Sequence, residues 1–301
     1  MKKWFLAARP WSFPASAMPA LTAIAFVFLT RDFFEEIDWF AGILAAIGAV
    51  VFHWAGNLIS DYFDYKHKVD STDNPNPSNR MIVDGIVTPG QILKYGLAVL
   101  SLGIVIGLYL TFRCGLPVLY IGLVGSLLTV FYYRLKYSAL GDIDILLTFG
   151  ICIPLGVTYC LTWQIYPRVL AVCLSVGFLV VSILHANNTR DRDNDGKAGI
   201  RTFAMIIGLK HSRRYYAVLI SSAYLLVTAD VLLGILPWTA LLVFLTFPIG
   251  YKNIQKMYDN EDFKSIVTLD GESAKLVMLF SLVLAIFGCF LPGIFRMFDI
   301  L

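Results

Sequence analysis

The chain has 301 residues, 58% of them hydrophobic and 15% charged, with a formal net charge of +3. Soluble domains carry about 25% charge, so with a mean hydropathy of +0.71 an ordinary water-soluble domain is excluded. The small positive balance is accounted for by membrane orientation and gives no reason to expect nucleic acid.

Apolar runs long enough to cross a hydrocarbon core of ~30 Å alternate with short charged stretches. They are too long and too continuously apolar for barrel strands, which leaves helices as the way to satisfy the backbone in lipid. In chain order the predicted spans are 12–30, 39–60, 91–112, 116–133, 143–162, 168–188, 214–234, 236–252 and 274–295. Pro237 and Pro248 interrupt the eighth. At the start, Arg9 and Pro10 break a short apolar stretch and no cleavage pattern follows, so no signal peptide is expected. The expectation is an all-α integral membrane protein of nine transmembrane helices, a single domain over 1–301, with the lipid bilayer as its surroundings and no obligate protein partner.

Of the 24 Lys and Arg residues, all but Arg31, Arg113, Arg168 and Arg296 fall on one side of this arrangement. Basic residues mark the cytoplasmic side, which places the N-terminus and both acidic motifs described below there, in a membrane expected to be a bacterial cytoplasmic one. The five cysteines form no CxxC pair and no zinc spacing, so they read as small helix residues rather than a disulfide framework.

Two acidic clusters begin with asparagine, and each sits where an apolar run ends. Asn57, Asp61, Asp64 and Asp70 occupy GNLISDYFDYKHKVD at the end of the second span. The steps of four and three put Asn57, Asp61 and Asp64 on one helix face. A loop rich in Asn, Pro and Ser follows and carries Arg80. Arg134 and Lys136 close the fourth span, and Asp142 and Asp144 begin the fifth. Asn187, Asn188, Asp191, Asp193 and Asp195 close the sixth in NNTRDRDNDGKAGIRT, with Lys197 and Arg201 just beyond. Asn187, Asp191 and Asp195 repeat the four-residue step. The distance of about four spans between the clusters suggests an approximate internal duplication. His53 and His185 stand one helical turn before the clusters, where polar packing and an orienting role are both open.

Mg²⁺ takes hard oxygen ligands, usually one or two carboxylates completed by water and substrate phosphates. Two acidic clusters with flanking cations on one membrane face therefore suit a divalent metal and a diphosphate. Solvated loop charges would not explain two Asn-led clusters that both abut span ends, since ionisable residues at membrane depth are functional by default. A CDP-alcohol phosphatidyltransferase needs Asp-Gly-x-x-Ala-Arg and a later Asp pair, which DGKAGIR lacks. A transporter would carry polar residues near the midplane of several spans, whereas the charges here stop at span ends.

RPWSFPASAMPAL, GNLISDYFDYKHKVD, NRMIVDGIVTPGQ, GDIDILLTFGICIPLGVTY and NNTRDRDNDGKAGIRTFAMIIG together resemble the UbiA-type intramembrane aromatic prenyltransferases over nearly the whole chain. Within them, the DYFDYK run and the NNTRD element look most like the 1,4-dihydroxy-2-naphthoate polyprenyltransferase branch. Ser60 replaces the usual Asn before Asp61, and Lys68 replaces the last Asp of the general pattern, while Asp70 matches the branch spacing. The resemblance implies nine helices around a central cavity and Mg²⁺-dependent transfer of a polyprenyl chain from polyprenyl diphosphate to an aromatic acceptor. The favoured acceptor is 1,4-dihydroxy-2-naphthoate, in menaquinone biosynthesis; a single ring such as 4-hydroxybenzoate is the alternative. It implies Asp61, Asp64, Asp191 and Asp195 as metal ligands, with Asn57, Asn187 and Asn188 orienting ligands or phosphate. Arg80, Lys136, Lys197 and Arg201 are then diphosphate contacts, with membrane topology the competing reading, strongest for Lys197; Asp70 is a ligand or base-side group, and Asp144 either helps the acceptor lose its proton or is a helix cap or solvated charge. Aromatic faces stabilise an allylic cation; Tyr62, Phe63, Tyr65, Tyr132, Tyr133, Tyr137 and Tyr159 are the candidates.

Overall fold

A computed structural model of the chain describes residues 2–69, 81–258 and 266–298. Its helices are α1 (Lys2–Ala7), α2 (Pro14–Leu29), α3 (Trp39–Lys66), α4 (Pro89–Cys114), α5 (Leu116–Tyr137), α6 (Gly141–Ile145), α7 (Ile153–Thr162), α8 (Arg168–Arg190), α9 (Arg192–Lys197), α10 (Phe203–Leu232), α11 (Phe247–Tyr258), α12 (Leu269–Val283) and α13 (Leu291–Met297). Among the described residues there is no strand beyond an isolated parallel bridge between Ser138 and Arg201. Wide π turns, Leu146–Cys152 and Leu284–Phe290, join α6 to α7 and α12 to α13 into continuous spans.

The all-α membrane fold is as expected, but the count of spans differs. Among the described residues seven helices are long and apolar enough to cross a membrane, or eight if the bent pair of Lys3–Ser12 and Pro14–Leu29 counts as one span. The stretch predicted as 236–252 is not one α-helix. It is a 3₁₀ segment, Trp238–Thr246, followed by α11. Pro237 and Pro248 explain this, since proline removes a backbone donor and is tolerated at a helix start rather than inside. The predicted 214–234 span begins earlier, at Phe203, with a break at Gly208, whose φ of 72° interrupts the helix.

Local sequence sets the ends. Asp38 caps α3 by accepting from the Ala41 amide at 3.0 Å. Thr88 and Gln91 form a reciprocal capping box at α4, which satisfies two donors that a helix start leaves free. α8 lies at the centre and is mostly buried, whereas most of α5 lies at the outer surface. α8 packs against α10, α12 and the π turn before α7. At that last contact a Cβ on Gly177 would stand 2.8 Å from the Gly150 Cα, so two glycines let the backbones meet. All five cysteines are free thiols.

Candidate active site

Two breaks in regular helix shape the site. The first is at Arg9, whose φ of 52° is left-handed. Ser12 holds that bend by donating both its amide and its hydroxyl to the Arg9 carbonyl, each at 2.8 Å. Such strain in a non-glycine residue persists only where its surroundings over-determine it. Here it turns α1 away from α2 by 53° and delivers the Arg9 guanidinium to Asp61 on α3. The second break is the π turn after α6. The extra residue of a π turn re-aims side chains, and this one brings Thr148 and Phe149 to a cavity.

That cavity, of about 450 Å³, is walled by Arg9, Asn57, Ser60 and Asp64 from the amino-terminal half, and by Tyr132, Lys136 and Asp144 from α5 and α6. Asn187 comes from α8, and Thr268 and Asp270 from the start of α12. It continues past His53, Thr129, Thr148 and Phe149 into an apolar chamber of about 130 Å³ lined by Gly48, Gly103, Gly107, Gly122, Gly125 and Gly156. One end is thus charged and the other without charge.

The first motif is held by partners distant in sequence. Asp64 accepts from the Tyr137 hydroxyl at 2.5 Å and the Ser60 hydroxyl at 3.5 Å, and lies 3.6 Å from the Lys136 ammonium. Asn57 donates to the Ser12 hydroxyl at 3.0 Å. The second motif is held by its neighbour Arg190. This guanidinium grips both Asp191 oxygens at 2.8 Å, donates to the Asn187 side chain, and reaches the Val267 carbonyl and Asp270, each at 3.1 Å. Asp195, on α9, is 3% exposed. Burial pushes its carboxyl up to about 6, with Asp191 and Asp64 adding to the rise and Lys136 and Arg190 opposing it. Lys136 is thus paired with Asp64 and lies within electrostatic reach of Asp195, so both motifs act on this one cation.

The donor set fits a divalent cation in part. Asp195 Oδ2 and Asp144 Oδ1 are buried without a hydrogen-bond partner, an arrangement that is costly unless another group completes it. Among the described residues no three carboxylate, imidazole or thiol groups converge into a closed cage. Mg²⁺ is characteristically held by one or two carboxylates with phosphate and water supplying the rest, so a shared protein–diphosphate site is the type these residues suit.

Of the remaining candidates, Asn188 is buried beside the motif. Lys197 and Arg201 are exposed and do not line the cavity, because α9 turns Asp195 inward and Lys197 outward. Asp70 and Arg80 lie outside the described residues. Asp142 accepts from or is paired with His185 Nδ1 at 3.0 Å and so ties α6 to α8; His53 Nδ1 meets the Ser16 hydroxyl at 3.0 Å while its ring lines the cavity. Tyr132 is the aromatic candidate on the cavity wall, joined there by Trp11 and Phe149, which sequence alone did not single out. Phe63 stacks on Tyr133 elsewhere, and Tyr159 donates to the Cys114 carbonyl on another part of α4. Arg9, Arg190 and Asp270 were also missed.

Residues 16–269 match the model of the UbiA prenyltransferase family. The chain is 30% identical to UbiA prenyltransferase domain-containing protein 1 of Xenopus tropicalis, over 92% of this chain and 79% of that one. It is 32% identical to the Rattus norvegicus protein of the same name, over 93% and 81%. Among solved structures, it superposes on a UbiA homolog from Archaeoglobus fulgidus bound to GPP and Mg²⁺ with a TM-score of 0.62, at 16% identity over 93% of this chain and 98% of that one. With the apo UbiA homolog from Aeropyrum pernix K1 the TM-score is 0.66, at 16% identity over 97% of both chains. These likenesses lend nothing to the transporter or phosphatidyltransferase alternatives. An all-helical membrane fold enclosing a cavity between two Asn-led acidic motifs, together with a match over most of the sequence, shows that this chain belongs to the UbiA prenyltransferase family.

Proposed function

We infer that the chain transfers a polyprenyl group from its diphosphate to an aromatic acceptor, with 1,4-dihydroxy-2-naphthoate as the preferred acceptor, and that residues 1–301 act as one UbiA-type domain. The observation that carries the reaction is the two-ended cavity: carboxylates, amides and Lys136 at one end, glycine-lined apolar space at the other. A prenyl diphosphate has the same division of charge. The A. fulgidus homolog was solved with a prenyl diphosphate and Mg²⁺, which supports the same ligand classes here.

In this reading Asp61, Asp64, Asp191 and Asp195 would hold Mg²⁺ together with the diphosphate, and the metal when bound would supply positive charge against the leaving group. Lys136, paired with Asp64 and within electrostatic reach of Asp195, contacts the diphosphate as a point charge. Asn57 and Asn187 orient its oxygens. As the allylic C–O bond breaks, Tyr132, Trp11 and Phe149 present aromatic faces to the cation that develops. A ring carbon of the acceptor then bonds to the allylic carbon and gives up its proton, or carbon dioxide if it carries a carboxylate. Asp144 is proposed to take a hydroxyl proton from the acceptor, a role supported by its burial on the wall with an unpartnered oxygen. Asp70 and Arg80 follow the first motif in sequence and remain proposed as a ligand-side and a diphosphate group. Lys197 and Arg201 are proposed to serve the diphosphate by long-range attraction, given their exposure. Both motifs are proposed to face the cytoplasm.

The acceptor assignment rests on the DYFDYK and NNTRD elements. A pocket distinguishes two rings from one by only ~1–3 kcal/mol, or ~10–200-fold. Purified chain is given Mg²⁺, one labelled polyprenyl diphosphate and a panel of aromatic acceptors, and products are identified by mass. Diphosphate release with the naphthoate as best acceptor is expected. Preference for 4-hydroxybenzoate would move the acceptor and keep the chemistry; no diphosphate release with any acceptor would overturn the reaction.

A further inference from the structure

Arg190 has a side chain that is 2% exposed, and each of its contacts goes to the second motif or to the chain entering α12. Nε and Nη2 face Asp191 Oδ1 and Oδ2 at 2.8 Å each. Nη2 also donates to Asn187, and Nη1 to the Val267 carbonyl and to Asp270 Oδ2 at 3.1 Å. A planar guanidinium meeting a carboxylate in two parallel bonds fixes the plane of that carboxylate as well as its position. Each Asp191 oxygen keeps a second lone pair in that fixed plane, the two diverging to either side of the carboxylate. Asp270, 80 residues away in sequence, holds the other edge of the same guanidinium and lines the cavity. Its Oδ1 is separately fixed by the Gly271 amide at 2.9 Å.

We propose that Arg190 is a positioning residue that orients Asp191 and Asn187 for a divalent cation, and that Asp270 acts on this site through Arg190, making the start of α12 part of the machinery. The proposal rests on the prenyl-transfer reading above. Lysine at 190 keeps the charge and loses the fork, so it separates geometry from electrostatics. A charge effect alone leaves Arg190→Lys unchanged; an orienting role does not.

The probe is Mn²⁺, a spectroscopic substitute for Mg²⁺, titrated into the purified full chain with a non-hydrolysable prenyl thiodiphosphate. Unbound Mn²⁺ is read by electron paramagnetic resonance. Partners that orient metal ligands typically contribute 10–100-fold in affinity. Arg190→Lys is therefore expected to raise the Mn²⁺ Kd by ~10-fold or more, and Asp270→Asn by ~3-fold, since the Asp191 fork survives in the second variant. The double variant is expected to match Arg190→Lys, because Asp270 acts through the arginine. A purely structural role would lower Tm and leave the Kd of the folded fraction unchanged. An Arg190→Lys Kd equal to or tighter than wild type overturns the proposal, as does an additive double variant. If Arg190→Lys does not fold, Asp270→Asn decides: an unchanged Kd there overturns it. Wild type that takes up no Mn²⁺ overturns the metal reading, and this inference with it, whereas normal wild-type uptake with indifferent variants sinks this inference alone.

Discussion

The two acidic motifs share a sequence pattern and differ in how they are held. At the end of α3, Asp61 and Asp64 take their partners from elsewhere: Arg9 at the α1–α2 bend, and Lys136 and Tyr137 at the end of α5. At the end of α8, Asp191 is gripped by the residue before it, and Asp195 keeps a buried oxygen without a partner. The first motif is therefore as rigid as the packing of three separate helices. The second carries its own clamp and depends on the rest of the fold mainly through Asp270. The contrast teaches that a repeated spacing need not mean a repeated support. A symmetric ligand set can rest on tertiary packing on one side and on local geometry on the other.

The largest test of this comparison removes one proposed metal ligand from each side. Asp64→Asn and Asp195→Asn each preserve shape and delete an anionic oxygen. Both are expected to lower kcat by ~100-fold or more, with the protein still folded in membranes. Near-normal turnover in either variant at limiting Mg²⁺ would show that the motifs do not act together.

Lys136 joins the two sides, so its removal is the next most informative change. Lys136→Met is expected to raise the KM for prenyl diphosphate by ~10–100-fold, as the loss of its proposed charged contact to the leaving group. It also has a pH signature. Asp195 sits at about 6, raised by burial and restrained by Lys136. A metal must displace the proton, so affinity falls as pH drops through that value. Without Lys136 the Asp195 pKa rises further, and the loss of Mn²⁺ affinity should begin at higher pH than in wild type. An unchanged acid limb would show that Lys136 does not act on both motifs.

Arg9 and Arg190 separate the two kinds of support more finely. The Arg9 side chain is 18% exposed and lines the cavity, whereas that of Arg190 is 2% exposed. Arg9→Lys is accordingly expected to raise the KM for prenyl diphosphate by ~10-fold with a smaller change in Mn²⁺ affinity than Arg190→Lys. The reverse ranking would make the bend at Arg9 the metal-orienting device.

Much of this was legible in the sequence because hydropathy and i, i+4 spacing are local. Most spans and the shared face of Asn57, Asp61 and Asp64 follow from such patterns, whereas Lys136 was marked by the family resemblance. What was not legible depended on long-range placement. Arg9 reads as a topology charge until a left-handed residue folds α1 back. Asp270 reads as a helix-start carboxylate until Arg190 reaches it across 80 residues. Among 22 Phe and 6 Trp, nothing local marks Phe149 or Trp11, since a π turn and a bend decide which ring meets the cavity. Lys197 and Arg201 drew attention by following the motif, but the short α9 leaves them exposed. In the predicted 236–252 span, Pro237 and Pro248 give a 3₁₀ segment followed by α11 rather than one regular α-helix.

The smallest expected effect lies at the opposite end of α3, where a second aspartate–arginine pair serves as a control. Asp38 accepts from Arg113 Nε at 2.6 Å and caps α3. The Arg113 hydrogen bond holds the Asp38 carboxyl below its usual range, with help from the Ala41 amide and against the effect of burial. A carboxylate whose folded pKa is depressed contributes stability above its unfolded pKa of ~3.9, and that contribution is lost as pH falls through the folded value. Asparagine caps a helix about as well as aspartate, so Asp38→Asn isolates the charge. The Arg113 side chain is 42% exposed, so solvent screening keeps the contribution of the pair small. Asp38→Asn should therefore lower Tm by ~1–3 °C near neutral pH, with no change in the Kd for Mn²⁺. The gap to wild type should close as pH falls through the depressed folded value, below which wild-type Asp38 is protonated too. A gap that stays constant with pH would assign the loss to capping or packing. A changed Mn²⁺ Kd would show that the far end of α3 is coupled to its acidic motif, and the division between packed and self-clamped support would have to extend along the whole helix.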